Sequence, residues 1–271
     1  MLTILWLMLT LILILPPLVT LAGSFMSAAD LIFYYFSGRV EGFRLVPDCF
    51  SLSQYYDALI GCTDYTRAFL NSVEYAVIST AAGMITALPA AYSLAFCKFR
   101  FRKLIIAVYL LLMILPYQSV EIPHYLLLRE TGLLGKDIAV IVTNIFDTFE
   151  TVILTAIFSS LPRETLEAAD IDGAGTIKKL FLVAAPQAKS GIFTITLLKF
   201  INVWNLTEQP LIFLDDPTRY PLSLLLPTLN GQHRFDSFAF SVVFILPPLL
   251  LYAGAADELE EFAGEQYLKM R

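Results

Sequence analysis

The sequence predicts an all-α, polytopic membrane protein with about six transmembrane helices. Three observations carry that expectation. The 271 residues are 57% hydrophobic and have a mean hydropathy of +0.70, above the apolar share of about half that soluble domains carry. Apolar windows of roughly 20 residues, the length a helix needs to cross lipid, recur along the chain. Between two of them stands the cluster Lys98, Arg100, Arg102 and Lys103, which gives the topology a direction.

Composition also excludes. A formal charge of −6 without a basic face argues against a nucleic-acid partner, because phosphate binding wants clustered Lys and Arg. Cys49, Cys62 and Cys97 show neither metal-ligand spacing nor the His and acid partners of a nucleophile, so no metal, thiol chemistry or cofactor is expected. Cys49 and Cys62 share one predicted external loop, where an oxidising compartment permits a disulfide that depends on geometry. His124 and His233 fall in predicted external loops and read as solvated.

In chain order, residues 2–23 carry no charge and are long enough to span, with Pro16-Pro17 expected to bend or interrupt the helix. A cleaved signal peptide is the competing reading. The missing basic start, the long apolar run and the lack of a clear A-x-A site favour an uncleaved anchor. Residues 24–67, with Tyr34, Tyr35, Phe36 and charges of both signs, read as an external loop. A second span over about 72–97 is rich in Ala and Gly, which lets helices pack closely in lipid. The four basic residues that follow mark a cytoplasmic loop. The third span then covers 104 to about 120, residues 121–136 connect externally, and the fourth returns over 137–160. Residues 161–189 are cytoplasmic, with Arg163, Lys178, Lys179 and Lys189. The fifth span runs from 191 to about 213, 215–234 is external, and 237 to about 255 makes a sixth span. Both termini are then cytoplasmic. No Lys or Arg precedes the first span, so the orientation rests on the later loops. The domain division expected is 1–67 for the first helix and external loop, 68–256 for the core with its loop 161–190, and 257–271 for a cytoplasmic tail.

The interval 161–191 is too polar for lipid and reads as two short amphipathic helices. Pro162 suits a first helical position, Glu164 and Glu167 favour the positive end of a helix, and Leu166, Ala169 and Gly173 recur at helical spacing. Gly173-Ala174-Gly175 can turn the chain. Ile177, Leu180, Phe181 and Ala184 form a second apolar stripe with Lys178 and Lys179 turned away, and Pro186 should stop that helix. Small residues at 168, 169 and 173 let another protein approach the backbone. The same pattern also suits a loop lying on the membrane.

Glu167-Ala168-Ala169, three residues, Gly173, nine residues and Val183-x-Ala185-Pro186 resemble the EAA loop of ABC-importer permeases, whose usual ending is Ile-x-Leu-Pro. The fuller Glu-Ala-Ala-x-Ile-Asp-Gly-Ala, here 167–174, resembles the branch that imports sugars, as in the maltose and multiple-sugar permeases of six-span type. Further landmarks are Asn71-Ser72, Leu115-Pro116 with Ile122-Pro123, Gly132-Leu133-Leu134, and Trp204-Asn205 followed by Pro210-Leu211. The likeness covers about 69–250. It implies a type I ABC-importer permease fold and a half-transporter in the prokaryotic cell membrane. Such a subunit pairs with a second permease, rests on two cytoplasmic ATP-binding subunits and receives solute from an external binding protein. Coupling to the ATPase would fall to Glu167, Ala168, Ala169, Asp172, Gly173 and Ala174, with alternating access as the mechanism. The chain itself carries no phosphate-cradling G-x-x-x-x-G-K-[ST] loop, so ATP hydrolysis is expected in the separate subunit. The tail 257–271 departs from the family's Gln-Arg and Gly-rich ending, and no tail contact is carried over. Related permeases move amino acids or polyamines, and a non-transport scaffold recruited through the loop is the rival from another class. An intramembrane enzyme using Asp147 and Glu150 lacks any accompanying motif.

Spans four and five hold polar residues that lipid would not tolerate: Thr143, Asn144, Asp147, Glu150 and Thr151 in one, Thr196, Lys199, Asn202 and Asn205 in the other. Intramembrane ionisable groups face a bundle interior or a water-filled cavity. Asn144, Asp147, Glu150, Lys199, Asn202 and Asn205 are therefore the candidate translocation path. At about 1.5 Å per residue, Glu150 and Lys199 lie at matching depth, which predicts that Lys199 pairs with Glu150 or Asp147. Asp147 alternatively sits in an aqueous vestibule. Trp204, Tyr117 and Tyr125 suit stacking on a sugar ring or anchoring at the interface.

Overall fold

The computed structural model describes residues 2–33, 46–228 and 236–256. Tyr34, Tyr35, Phe36, His233 and the tail 257–271 lie outside the described residues. Among the described residues the architecture is all-α, with one isolated antiparallel bridge between Met26 and Phe50.

Helix α1, Leu2–Gly23, runs unbroken through Pro16 and Pro17. The expected interruption does not occur, because lipid offers the remaining backbone groups no better partner than the helix itself. Helix α2, Thr63–Phe96, extends for 34 residues and begins before the expected start at 72, since Tyr65 and Ala68 share a helical face that finds a core to enter. Helices α3, Arg102–Ile114, and α4, Gln118–Glu130, meet at 102°. The third span thus ends at Leu115, whose extended backbone (φ −66°, ψ 129°) is the conformation a residue before proline favours. The connection expected over 121–136 begins as helix.

Helices α5, Asp137–Thr143, and α6, Thr148–Ser159, make a 23-residue candidate span interrupted at 144–147. Helix α7 covers Arg163–Ile171. Helix α8, Thr176–Lys179, continues through a π-helical turn, Leu180–Ala184, into Ala185–Gln187. Pro186 therefore does not stop this segment; the chain turns instead at Ala188, by 87°, into α9, Lys189–Trp204. Helix α10 is Glu208–Phe213 and α11 is Ser237–Gly254. Among the described residues four helical stretches, α5 with α6 counted as one, are long and apolar enough to cross a membrane, and up to six spans result if each bent pair counts as one.

The chain divides into two compact units, residues 1–72 with 218–247 and residues 73–217 with 248–271. In the first, Ala58, Cys62, Tyr65, Ala68, Leu222, Phe240 and Val243 form the core. The Tyr65 hydroxyl donates to the Phe240 carbonyl at 2.7 Å. The buried Gln54 amide donates to the Gly23 and Met26 carbonyls at 2.7 and 2.8 Å and accepts from the Ala239 N–H, so three chain segments share one side chain. Cys49 is exposed, Cys62 buried, and both are free thiols. In the second unit the core joins Met84, Ala87, Ala91 and Tyr92 of α2, Leu154 and Phe158 of α6, Leu166 of α7, Leu180 and Ala184 of the π turn, and Ile195 of α9.

Candidate functional site

The segment 163–187 is held by few residues and presents many. Leu166 is buried in the core of the second unit and Ala169 and Ala174 are half-buried, while Glu167, Ala168, Asp172 and Gly173 are exposed. Helix α7 ends on Gly173 at φ +75°, with the Ala174 N–H donating to the Ala169 carbonyl (2.9 Å) and the Gly173 N–H to the Asp170 carbonyl (3.1 Å). That pair of bonds is the Schellman cap, which requires a left-handed residue at this point. The second stripe divides: Leu180 and Ala184 are buried, whereas Ile177 is 74% exposed, Phe181 is exposed, and Ile171 of α7 is 87% exposed. Lys179 does not turn away. It pairs with Asp170, which accepts its hydrogen bond and raises the Lys179 pKa above the ordinary lysine value. Arg102, from the basic cluster, donates to the Leu94 and Ala95 carbonyls at 2.6 and 2.8 Å, neutralising the C-terminal end of α2.

The charges of spans four and five meet. Lys199 forms an ion pair with Glu150, and each side chain is only 2% exposed. Lys199 also donates to the Asn144 carbonyl at 2.8 Å. Asp147 is not its partner; the Asp147 carboxylate accepts from the Phe149 N–H at 2.9 Å and caps α6. Asn205 is exposed and donates to the Ile201 carbonyl one turn back. Thr196 likewise bonds to its own helix, at the Ile192 carbonyl.

A cavity of about 550 Å³ lies beside the break in span four. Of the six candidate path residues, Asn144, Asp147 and Asn202 line it, and Glu150, Lys199 and Asn205 do not. Thr143, Thr148, Tyr117, His124 and Gln209 complete its polar wall. The Asn144 amide donates to both the Val140 carbonyl and the Gln209 side chain. Among the described residues His124 Nδ1 is buried without a hydrogen-bond partner, a state that calls for a ligand or water, and the Tyr117 hydroxyl shares that wall with the Gln209 side chain. His124, expected as a solvated loop residue, is thus half-buried on the cavity wall. Tyr117 and His124 sit seven residues apart across the start of α4, a spacing that would have placed them on one face had a helix been expected there. Gln209 carried no signal in the sequence. Trp204 is fully buried and stacked on Phe200, available neither to a ligand nor to the membrane interface. Tyr125 packs on the cluster of Leu128, Ala139 and Phe213.

Residues 79–260 match the family described as the binding-protein-dependent transport system inner membrane component. A probable ABC transporter permease protein of Pyrococcus horikoshii is 35% identical over 188 residues, 68% of each chain. The diacetylchitobiose uptake system permease protein NgcG of Streptomyces coelicolor is 30% identical over 258 residues, 93% of this chain and 82% of that one. In fold, the chain is similar to a subunit in the crystal structure of a bacterial ABC transporter involved in the import of the acidic polysaccharide alginate, with a TM-score of 0.80, 21% identity, and coverage of 95% of this chain and 94% of that one. With its broken and bent spans and the exposed loop between spans four and five, this multi-pass membrane protein belongs to the family of binding-protein-dependent transport system inner membrane components.

Proposed function

We propose that the chain is one of two permease subunits of an ATP-driven importer for carbohydrates, working by alternating access. Two cytoplasmic ATP-binding subunits drive it and an external binding protein delivers the solute. The observation that carries the coupling role is the build of segment 163–187. Its inner face is fastened by Leu166, Leu180 and Ala184 into the core that also holds spans two, four and five, while Glu167, Ala168, Asp172 and Gly173 stand free beside the exposed Ile171 and Ile177. A docking surface that is fixed at its root passes a push from a partner to the spans packed on that root. In this reading Glu167 to Ala174 enter a groove of the ATPase, the loop is cytoplasmic, both termini lie on the same side, and the protein resides in the cell membrane of a prokaryote.

Carbohydrate as cargo rests on the relatives' diacetylchitobiose and other saccharides and on the cavity's chemistry. The amides of Asn144, Asn202 and Gln209, two threonine hydroxyls, Tyr117 and His124 offer neutral donors and acceptors, which suit a polyhydroxylated solute. Among the described residues Asp147 is the sole carboxylate on that wall and no Lys or Arg accompanies it, a poor match to the paired charges of an amino acid. Co-purification from the native membrane tests the whole reading. An ATP-binding subunit and a saccharide-binding external protein are expected to accompany the chain, and Glu167→Lys is expected to release the ATP-binding subunit alone. Recovery of the chain without any ATP-binding subunit would refute it.

A further inference from the structure

Span four is interrupted where its polar residues stand, and side chains serve several groups of the interruption. The Asn144 amide donates back to the Val140 carbonyl at 2.8 Å and Asp147 caps the first turn of α6. The Ile145 carbonyl lies 3.5 Å from the Thr86 hydroxyl of α2. The Asn144 carbonyl, at the C-terminal end of α5, accepts from Lys199 of α9. The same ammonium pairs with Glu150 in the first turn of α6. A helix C-terminus carries partial negative charge that an ammonium satisfies. Lys199 therefore touches both sides of the break at once.

The space for this contact comes from α2. A Cβ at Gly83 would lie 2.5 Å from both Cε and Nζ of Lys199 and 3.3 Å from Oε2 of Glu150. Ala81, Ala82 and Ala87 serve the same span, but at 83 a methyl group enters only if the end of the Lys199 side chain moves. Among the described residues Oε2 has no hydrogen-bond partner, and the carboxylate is held through Oε1 by Lys199.

We propose that Lys199 is a positioning residue that clasps the break in span four, seated under Gly83, and thereby fixes the Asn144 and Asp147 wall of the cavity. Its role is to set where that wall stands rather than to touch the solute. For its transport readout alone, the proposal rests on the cavity being part of the carbohydrate path.

The test uses the assembled transporter with the three native cysteines replaced and Thr148→Cys as a reporter on the cavity wall. Two changes are compared with the reporter background: Gly83→Ala, which leaves both charges in place, and Lys199→Met with Glu150→Leu, which removes both charges and leaves none buried. Each is expected to change the rate at which a small water-soluble thiosulfonate modifies the reporter thiol, and to raise the solute concentration for half-maximal uptake, by about tenfold, the scale of a misplaced binding wall. The maximal rate should move less. If the doubly neutral variant keeps the reporter's thiol rate and half-saturation, the pair serves only charge balance and the proposal falls. It falls equally if Gly83→Ala changes neither. Should the double variant fail to assemble, Gly83→Ala decides. A shifted thiol rate with no carbohydrate transported by any form upholds the clasp and overturns the cargo reading instead.

Discussion

Gly173 and Gly175 stand two residues apart in the exposed loop, and a Cβ at either would meet nothing within 4 Å. They differ in backbone. Gly173 closes α7 at φ +75°, whereas Gly175 caps α8 at φ −67° and ψ 163°, ordinary extended geometry. Gly173→Ala therefore creates no clash and acts only through the left-handed conformation, which costs an L-residue about 1–2 kcal/mol. If docking selects the capped conformation, affinity for the ATP-binding subunit weakens by about five- to thirtyfold. Asn, which tolerates the left-handed region, should fall between Gly and Ala at 173. Gly175→Ser places a preferred N-cap residue and should be neutral or mildly favourable. The assay is titration of the purified permease pair, in nanodiscs, with the ATP-binding subunit. Equal affinity for the Gly and Ala forms at 173, or equal loss from Gly175→Ser, would rule out the left-handed cap as the cause, since φ alone separates the two positions.

Three further outcomes follow from named contacts. Arg102→Ala removes two charge-assisted bonds to the end of α2 and should lower stability by about 1.5–3 kcal/mol, read as a drop in thermal unfolding temperature in detergent; an unchanged temperature counts against the cap. Lys179→Met should cost less than about 1 kcal/mol because Asp170 is largely exposed. The raised Lys179 pKa means that this contribution is complete below the ordinary lysine range and is lost only as pH rises above it, so the difference between wild type and Lys179→Met should not change from pH 6 to pH 8. Tyr117→Phe and His124→Leu should each raise the half-saturating solute concentration by about two- to tenfold if the Tyr117 hydroxyl and His124 Nδ1 on the cavity wall receive the solute, while the amount of assembled complex stays constant.

The segment 163–187 is readable in the sequence because its signals are local. Glu164 and Glu167 in the first turns, Leu166 on the inner face and Gly173 past the end define a helix without reference to anything distant. The basic cluster was equally plain, although the capping work of Arg102 depends on where α2 stops. The break in span four left a trace that apolar counting overrode: Asp147 followed three residues later by Glu150 has the spacing of a capping box. In the fold Asp147 does cap α6, but Glu150 turns to Lys199 rather than back to the chain. The bend before α4 was likewise marked by Pro116, yet the helix beyond it contains Pro123 and four ionisable residues, so it read as a loop. Gln209 and Gly83 gave no local sign. Their importance arises from what stands opposite them in space.

Ionisable residues inside a membrane are a sound pointer to a functional region, but here only one of the three candidates lines the cavity. Of the three ionisable candidates, Glu150 and Lys199 are sealed away as a pair, Asp147 stands on the cavity wall as the cap of α6, and the neutral amides of Asn144 and Asn202 line the same wall. Solvation explains the division. A buried carboxylate and ammonium are tolerable only when each satisfies the other and the geometry is held, which makes them suited to fastening a broken helix and unsuited to a wall that must release a passing molecule. Amides and hydroxyls lose little in exchanging one partner for another, water for a sugar hydroxyl. A wall of neutral groups therefore gains from a charge pair held one layer behind it, as Glu150 and Lys199 are held, where the pair fixes the position of groups that bind weakly enough to let go.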